Sequence, residues 1–172
     1  MSNSVDEELR IMEERASHNP HEHLEQPLDV LCRRSAVSVH KSASIAETVA
    51  LMCANGFGAV LVTDADKLVG VFTERDVLKR VTGKVADLDQ SPVSSVMTSN
   101  PETLRLGDKI IFVMNMMHVG GYRHVPIVDD AMRPLHVISI KDVMAYVLEP
   151  LHDTIVSIPP EPFRGERTQH SG

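Results

Sequence analysis

Aromatic residues are scarce in this chain. Only 3 % of its 172 residues are aromatic and none is Trp, whereas 42 % are apolar. We therefore expect a core of Val, Leu, Ile, Met and Ala, which is typical of layered α/β proteins with β-branched strands. At this length the chain fits one compact domain or two small repeats that share a core.

A basic surplus and long apolar segments are also missing. The net charge is −7, which argues against nucleic acid as a partner and against binding to an anionic membrane. No apolar run approaches the roughly 18 residues that span a bilayer. The acidic residues 1–15 do not have the pattern of a signal peptide, so we expect a cytoplasmic protein.

Cysteine and histidine spacing gives no metal-binding motif. Cys32 and Cys53 lack paired ligand spacing and are interpreted as buried, reduced thiols, as in a cytoplasmic protein. His18, His21 and His23 lie close together and could bind a metal ion. Because Pro20 favours a loop without fixed geometry, no metal site is predicted there.

Motifs of catalysis are absent as well. The sequence has no Gly-x-Ser-x-Gly elbow, no Gly-x-x-x-x-Gly-Lys phosphate loop and no Gly-x-Gly-x-x-Gly dinucleotide fingerprint. We therefore expect a protein that is not an enzyme and requires no cofactor.

What the chain does contain is one short motif in two copies. Each copy is an apolar strand that runs directly into a helix, with a hydroxyl and a carboxylate three residues apart in the first turn. A helix N-terminus favours anionic groups, and a carboxylate accepts hydrogen bonds from vicinal hydroxyls. A capping box would use the same spacing, so the motif alone leaves both interpretations open. The pairs are Thr73 and Asp76 in GVFTERD, and Ser139 and Asp142 in HVISIKD.

The motif belongs to a longer internal repeat. A shift of 65 positions aligns Ile45 with Ile110, and one extra residue in the second turn then aligns Asp76 with Asp142. Each half is predicted to be strand, helix, strand, strand, helix. Neither half has enough core alone, so we expect them to pack through their sheets. The predicted parts are a leader helix and loop (1–27), a first repeat (28–83), a linker and second repeat (84–150) and a Pro-rich flexible tail (151–172).

Residues 28–148 resemble a tandem pair of CBS domains, the Bateman module. The resemblance is carried by GVFTERDVLKR (70–80), by GGYRHVPIVDD (120–130) and by the repeat itself. It implies an α/β fold of two β-α-β-β-α units related by pseudo-twofold symmetry, with two clefts between them. It also implies a regulatory, energy-sensing role with an adenosyl ligand: AMP, ADP, ATP or S-adenosylmethionine.

The resemblance further implies roles for individual residues. Asp76 and Asp142 would each bind the ribose hydroxyls in one cleft, and Thr73 and Ser139 would contact ribose or phosphate. The adenine would lie in apolar slots formed by Val37, Val39, Ala59 and Val60 in one cleft and by Leu104, Val125, Pro126 and Ile138 in the other.

The two clefts are expected to differ. Arg123 and His124 match positions where related modules place phosphate-facing groups, and their counterparts are Gly58 and Ala59. His136 replaces the Gly that the family has before the second motif. We therefore expect the more regular strand–helix geometry at the Asp76 cleft and the stronger phosphate contacts at the Asp142 cleft.

One alternative is an interaction module with vestigial clefts, which forms a homodimer through the helices at 44–55 and 108–119. An amphipathic leader helix, Ser4 to Arg15, would be either a lightly docked segment or an arm on a partner subunit. In either case the output would pass to a separate protein target that the sequence does not identify.

Overall fold

The computed structural model of the chain describes residues 23–33 and 35–157. The predicted leader helix, His18, His21 and the last part of the predicted tail lie outside the described residues. His23 lies inside them, and its ring meets that of Tyr146 edge-on, with 6.1 Å between centroids. The described residues contain no cluster of His, Cys, Asp or Glu that could hold a metal ion.

The first repeat builds a three-stranded core sheet. Strand β1 (Ser38–His40) pairs in parallel with β2 (Ala59–Asp64), which pairs antiparallel with β3 (Lys67–Thr73). Helix α1 (Ile45–Asn55) connects β1 to β2 and begins at a capping box made by Ser44 and Glu47. It ends at Gly56, whose φ of 63° is a left-handed conformation that glycine adopts without strain.

The helix after β3 differs from the regular helix expected there. It starts as α2 (Glu74–Asp76) and continues as a π-helical turn, Val77–Val81. Both the backbone N–H and the hydroxyl of Thr82 donate to the Val77 carbonyl oxygen, at 2.9 and 3.0 Å. These bonds join residues five apart instead of four, so the turn is wider than an α-helical turn. Turns of this kind are frequent at functional sites.

The second repeat contains fewer paired strands than the first. Helix α3 (Ile110–Gly120) precedes an antiparallel pair, β5 (His124–Val128) and β6 (Pro134–Ser139), and α4 (Ile140–Leu148) follows. The predicted first strand of this repeat is reduced to one parallel bridge between Leu104 and Ile127. It ends there because the Asp108 carboxylate accepts a hydrogen bond from the Arg105 N–H at 2.7 Å and turns the chain.

The chain also remains helical beyond Pro150, in the first part of the segment predicted to be a tail. A 3-10 turn, Glu149–Leu151, leads into α5 (His152–Ser157). Proline is tolerated in the first turn of a helix, because the N–H that it lacks would have no helical partner there. The first residues of the predicted tail are therefore helical.

The two repeats exchange the segments that lead into them. Strand β4 (Thr98–Ser99), which precedes the second repeat, pairs with β3 of the first. Ser35, which precedes β1, forms a bridge with His136 of β6. Each sheet is thus extended by the segment that enters the other repeat, which produces the pseudo-twofold arrangement.

Three apolar clusters hold this arrangement together. One lies inside the first repeat around Ile45 and Phe72, and one inside the second around Ile110 and Ile138. The third joins the two sheets, and it consists of Leu61, Leu68 and Val71 from the first repeat with Val128 from the second, packed against Ala36, Ala59 and Val137. The structure therefore confirms an α/β fold of two repeats packed through their sheets.

The two cysteines have different environments, and only one fits the prediction of buried thiols. Cys32 is half-buried, donates to the Leu28 carbonyl oxygen at 3.3 Å, and has a pKa raised to about 11 by burial and by Asp29 and Asp142. Cys53 is exposed, because it lies on the solvent side of α1, one residue after the buried Met52. Burial was therefore the wrong prediction for Cys53.

None of the helices within residues 23–157 that the structure describes has the length and hydropathy required to span a membrane.

Candidate functional site

A cavity of about 470 Å³ opens between the two repeats beside Asp76. One wall comes from β3 and the helix that follows it. The other comes from the linker after β4 and from the turn between α3 and β5. The first wall includes Val71, Thr73, Arg75, Asp76, Lys79 and Arg80, and the second includes Asn100, Pro101, Glu102, Tyr122, Arg123, His124, Val125 and Pro126.

Asp76 caps its own helix. Its Oδ2 accepts hydrogen bonds from the Thr73 N–H at 3.0 Å and from the Thr73 hydroxyl at 2.7 Å. The Asp76 N–H is directed at Thr73 Oγ1, at 3.3 Å, which completes a capping box. The capping interpretation of the motif therefore holds, and it fixes this carboxylate at the edge of the cavity.

Arg80 holds the other oxygen of the same carboxylate. Its Nε lies 3.4 Å from Asp76 Oδ1, and its Nη1 donates to the carbonyl oxygens of Val96 and Met97 at 3.1 and 2.5 Å. This arginine thus ties the helix of the first repeat to the linker that enters the second. The prediction did not include Arg80, although its position four residues after Asp76 is the spacing of a helical ion pair.

Asp142 has the same cap but different surroundings. Its Oδ2 accepts hydrogen bonds from the Ser139 N–H at 2.8 Å and the Ser139 hydroxyl at 2.6 Å. The position that matches Arg80 is Tyr146, whose hydroxyl donates to the His23 carbonyl oxygen at 3.2 Å. The second carboxylate therefore has no arginine at the matching position.

Basic side chains surround the Asp76 cavity. Four arginine and lysine side chains line it, against two carboxylates, Asp76 and Glu102. Arg75 Nη1 donates to the Gly121 carbonyl oxygen at 3.3 Å and so bridges the two walls. The four are Arg75, Lys79, Arg80 and Arg123, and the matching positions of the other repeat hold Lys141, Ala145, Tyr146 and Gly58.

The location of the basic groups reverses one expectation. Arg123 and His124 were expected to strengthen phosphate contacts at the Asp142 cleft, but they line the Asp76 cavity. The reason is topological: the two sheets pack face to face, so the start of β5 lies over the cleft of the other repeat.

His124 is held at the junction of the repeats. Burial and the neighbouring Arg123 lower the pKa of its imidazole, while Glu74 and Asp142 act in the opposite direction. A Cβ placed on Gly58 would lie 3.0 Å from His124 Nε2. The ring therefore occupies space that only a glycine at position 58 leaves open.

The predicted apolar slots are only partly present at the cavity. Val125 and Pro126 line the Asp76 cavity. Val60 and Ile138 are fully buried within the two repeat cores and have no surface to offer a ligand. The remaining four are half-buried and do not line this cavity: Val37, Val39, Ala59 and Leu104.

Gly70, the first residue of the first motif, lies against a side chain of the linker. A Cβ on Gly70 would collide with the Sδ atom of Met97, which follows the helical turn Val93–Ser95. Gly70 therefore makes room for a linker side chain, not for a ligand. His136 lies at the matching position of β6.

Two related α/β repeats with a polar cleft at their junction define a paired-repeat module. A family model of the CBS domain matches residues 29–83 and 93–149. The chain belongs to the CBS domain family.

Solved and curated relatives agree with this assignment. A CBS-domain containing protein from Agrobacterium tumefaciens is 36 % identical, with a TM-score of 0.62 over 69 % of this chain and 97 % of that one. A CBS domain protein from Pyrobaculum aerophilum, solved in complex with AMP, is 28 % identical, with a TM-score of 0.65 over 74 % and 99 %. A CBS domain-containing protein of Arabidopsis thaliana is 32 % identical over 66 % of this chain, which spans only 20 % of that relative.

Proposed function

We propose that this protein is a non-catalytic regulatory module that binds an adenosyl ligand at Asp76. The observation that carries the proposal is the 470 Å³ cavity with a capped carboxylate on one wall and basic side chains on both. The Pyrobaculum relative, solved with AMP, supports the ligand class. Energy sensing and transfer of the signal to a separate protein target are parts of the same proposal.

Asp76 keeps free hydrogen-bonding capacity in spite of its cap. A carboxylate has about four acceptor sites, and three donors are already directed at this one: the Thr73 N–H, the Thr73 hydroxyl and Arg80. A ribose hydroxyl would take the remaining site on the side of the cavity. The cap and the ribose site are therefore compatible functions of one side chain.

The charge of the cavity favours a ligand that carries phosphate. Four basic side chains against two carboxylates leave an excess of positive charge around the cavity. Arginine binds phosphate oxygens through paired N–H donors, and Arg123 has the outer position that such a contact needs. We therefore propose AMP, ADP or ATP for this cleft in preference to the cationic S-adenosylmethionine, with Asp142 as the ribose residue of a weaker second site.

A thermal-shift titration of the full chain with AMP, ADP, ATP and S-adenosylmethionine tests this function. A ligand present at 100 times its Kd adds about 2.7 kcal/mol to the free energy of unfolding. Asp76→Asn should remove the main shift, and Asp142→Asn is the matched control in the other repeat. The proposal fails if none of the four compounds raises Tm at millimolar concentration.

A second candidate, the ligand-independent homodimer, is favoured by an apolar surface on the second repeat. Helices α3 and α4 pack on one core through Val113 and Val143, and both also expose apolar side chains. On α3, Phe112 is 51 % exposed, and on α4, Met144 is 48 % exposed. The solvent side of α1 carries the exposed Glu47, Ala50 and Cys53 instead, so this surface belongs to the second repeat alone.

A second copy is the occupant that fits this surface. Two chains of net charge −7 repel each other except where they meet through an uncharged face. Light scattering of the protein without ligand should then give the mass of a dimer, and Phe112→Glu should give a monomer. A monomeric wild-type chain would exclude this candidate.

A further inference from the structure

We infer that His124 links ligand binding to proton uptake: its imidazole gains a proton when a phosphate-bearing ligand enters the Asp76 cleft. The inference rests on the proposed function and adds a regulatory property to the same site. The ring would then contribute an additional positive charge to the phosphate end of the cleft. It would do so only when the phosphate of the ligand is bound there.

The position of the ring depends on an interlock between the repeats. The pair Arg123–His124 of the second repeat matches the pair Gly58–Ala59 of the first. The absent side chain at position 58 provides the space, since a Cβ there would lie 3.0 Å from Nε2 and 3.1 Å from Cε1 of His124. The Glu74 carboxylate approaches the same point, at 3.5 Å. Large residues on one repeat thus fit against small ones on the other.

Charged groups from three elements surround the ring. Arg123 precedes it at the start of β5, Glu74 and Arg75 face it from α2, and Asp142 faces it from α4. Lys79 and Arg80 lie on the opposite wall of the same cavity. Burial of the ring and the two neighbouring arginines oppose the imidazolium form, so the pKa of His124 in the free protein is lowered in spite of Glu74 and Asp142.

A bound phosphate changes this balance. Its negative charge stabilises the imidazolium form and compensates the nearby arginines, so the pKa of His124 is higher in the complex than in the free protein. Protonation therefore favours binding. Between the pKa of the complex and the lower pKa of the free protein, affinity should increase as the pH falls, by at most about tenfold per pH unit for one proton.

Isothermal titration calorimetry of the full chain with AMP tests the linkage. Measurements from about pH 6 to about pH 8, in two buffers of different ionisation enthalpy, give the number of protons taken up. His124→Gln is the matched control. The AMP phosphate titrates in both proteins, so the difference in proton uptake between them reports His124. We expect the wild type to take up more protons than His124→Gln, by up to one, and to show the steeper dependence of Kd on pH.

Two further arms separate the causes. Adenosine lacks the phosphate, so proton uptake by the wild type should disappear with this probe. Gly58→Ala keeps the histidine but places a methyl group against its ring, and should reduce the proton uptake with AMP. Position 58 has no left-handed backbone conformation, so this change acts through side-chain contacts, of which those with the His124 ring are the tightest.

The outcomes distinguish the two proposals. Equal proton uptake by the wild type and His124→Gln, with AMP bound by both, would overturn the linkage and leave the proposed function intact. Full uptake by Gly58→Ala would overturn the interlock as its geometric basis. Failure of the wild type to bind AMP would overturn the linkage, and the proposed function would fall with it only if ADP, ATP and S-adenosylmethionine also failed to raise Tm.

Discussion

The two repeats carry the same helix cap in different surroundings. Thr73 with Asp76 and Ser139 with Asp142 have hydrogen bonds that match within 0.2 Å, at 3.0 against 2.8 Å and 2.7 against 2.6 Å. Around Asp76 the chain adds Arg80 and a basic cavity, whereas the position matching Arg80 is a tyrosine bonded to the N-terminal segment. Two copies of a repeat can thus keep the same helix cap, while a few neighbouring side chains give the capping carboxylates different surroundings.

The largest difference between the repeats is expected when the carboxylates are removed. Asp76→Ala leaves Arg80 without its ion-pair partner and removes a capping side chain that is only 10 % exposed. We expect the free energy of unfolding to fall by about 2 to 3 kcal/mol, against about 1 kcal/mol for Asp142→Ala, which loses only a cap. Urea unfolding of both variants measures this. Equal losses would show that Arg80 contributes nothing.

The space beside Gly70 gives a second comparison. In Gly70→Ala the new methyl group displaces Met97 from its packed position, and we expect a loss of about 1 to 2 kcal/mol. His136→Ala, at the matching position, has no such collision and serves as the control. In a double-mutant cycle, Met97→Ala should recover part of the loss at Gly70. Additive effects would contradict the proposed contact.

The basic side chains of the Asp76 cavity should give it a higher affinity for AMP than the Asp142 cleft has. Arg123→Gln should weaken AMP about tenfold, or about 1.4 kcal/mol, because it removes a phosphate contact while the ribose site remains. Adenosine should bind the variant and the wild type alike, and Tm without ligand should not change. Lys141→Gln beside Asp142 is the matched control. A similar loss of AMP affinity in Lys141→Gln would contradict the assignment of the phosphate site to the Asp76 cleft.

The smallest effect is expected at Tyr146. Tyr146→Phe removes the hydrogen bond from its hydroxyl to the His23 carbonyl oxygen while the ring contact remains. We expect a loss of about 0.5 to 1 kcal/mol in the free energy of unfolding, measured by urea titration. AMP affinity should stay constant, since this tyrosine does not line the Asp76 cavity. A change in AMP affinity would show that α4, which carries Tyr146, is coupled to the helix that carries Asp76.

The sequence predicted the features that have a local cause. The repeat, the strand–helix motif and the α/β fold follow from apolar periodicity and from the spacing of hydroxyl and carboxylate. The position of Arg123 does not, because it depends on which face of one repeat lies over the other. Strand β4 has only two residues and is too short for any periodic pattern.

The remaining misses have similar physical causes. The π-helical turn depends on the two hydrogen bonds of Thr82 to one carbonyl, and propensity scales contain no such term. Cys53 follows the buried Met52 in sequence, but one residue turns the helix by about 100°, which is enough to bring Cys53 to the solvent. Six of the fourteen predicted site residues line the Asp76 cavity, and their roles in ligand binding remain a proposal, which the ligand titrations above address.

The exchanged segments have a consequence for synthesis on the ribosome. The first repeat can form its helices and its three strands early, but the edge of β3 stays open until residues 98–99 have been translated. An open strand edge is a template for pairing with other chains. A nascent or truncated chain that ends at residue 83 would expose that edge, so the linker serves as the first repeat's own protection against aggregation.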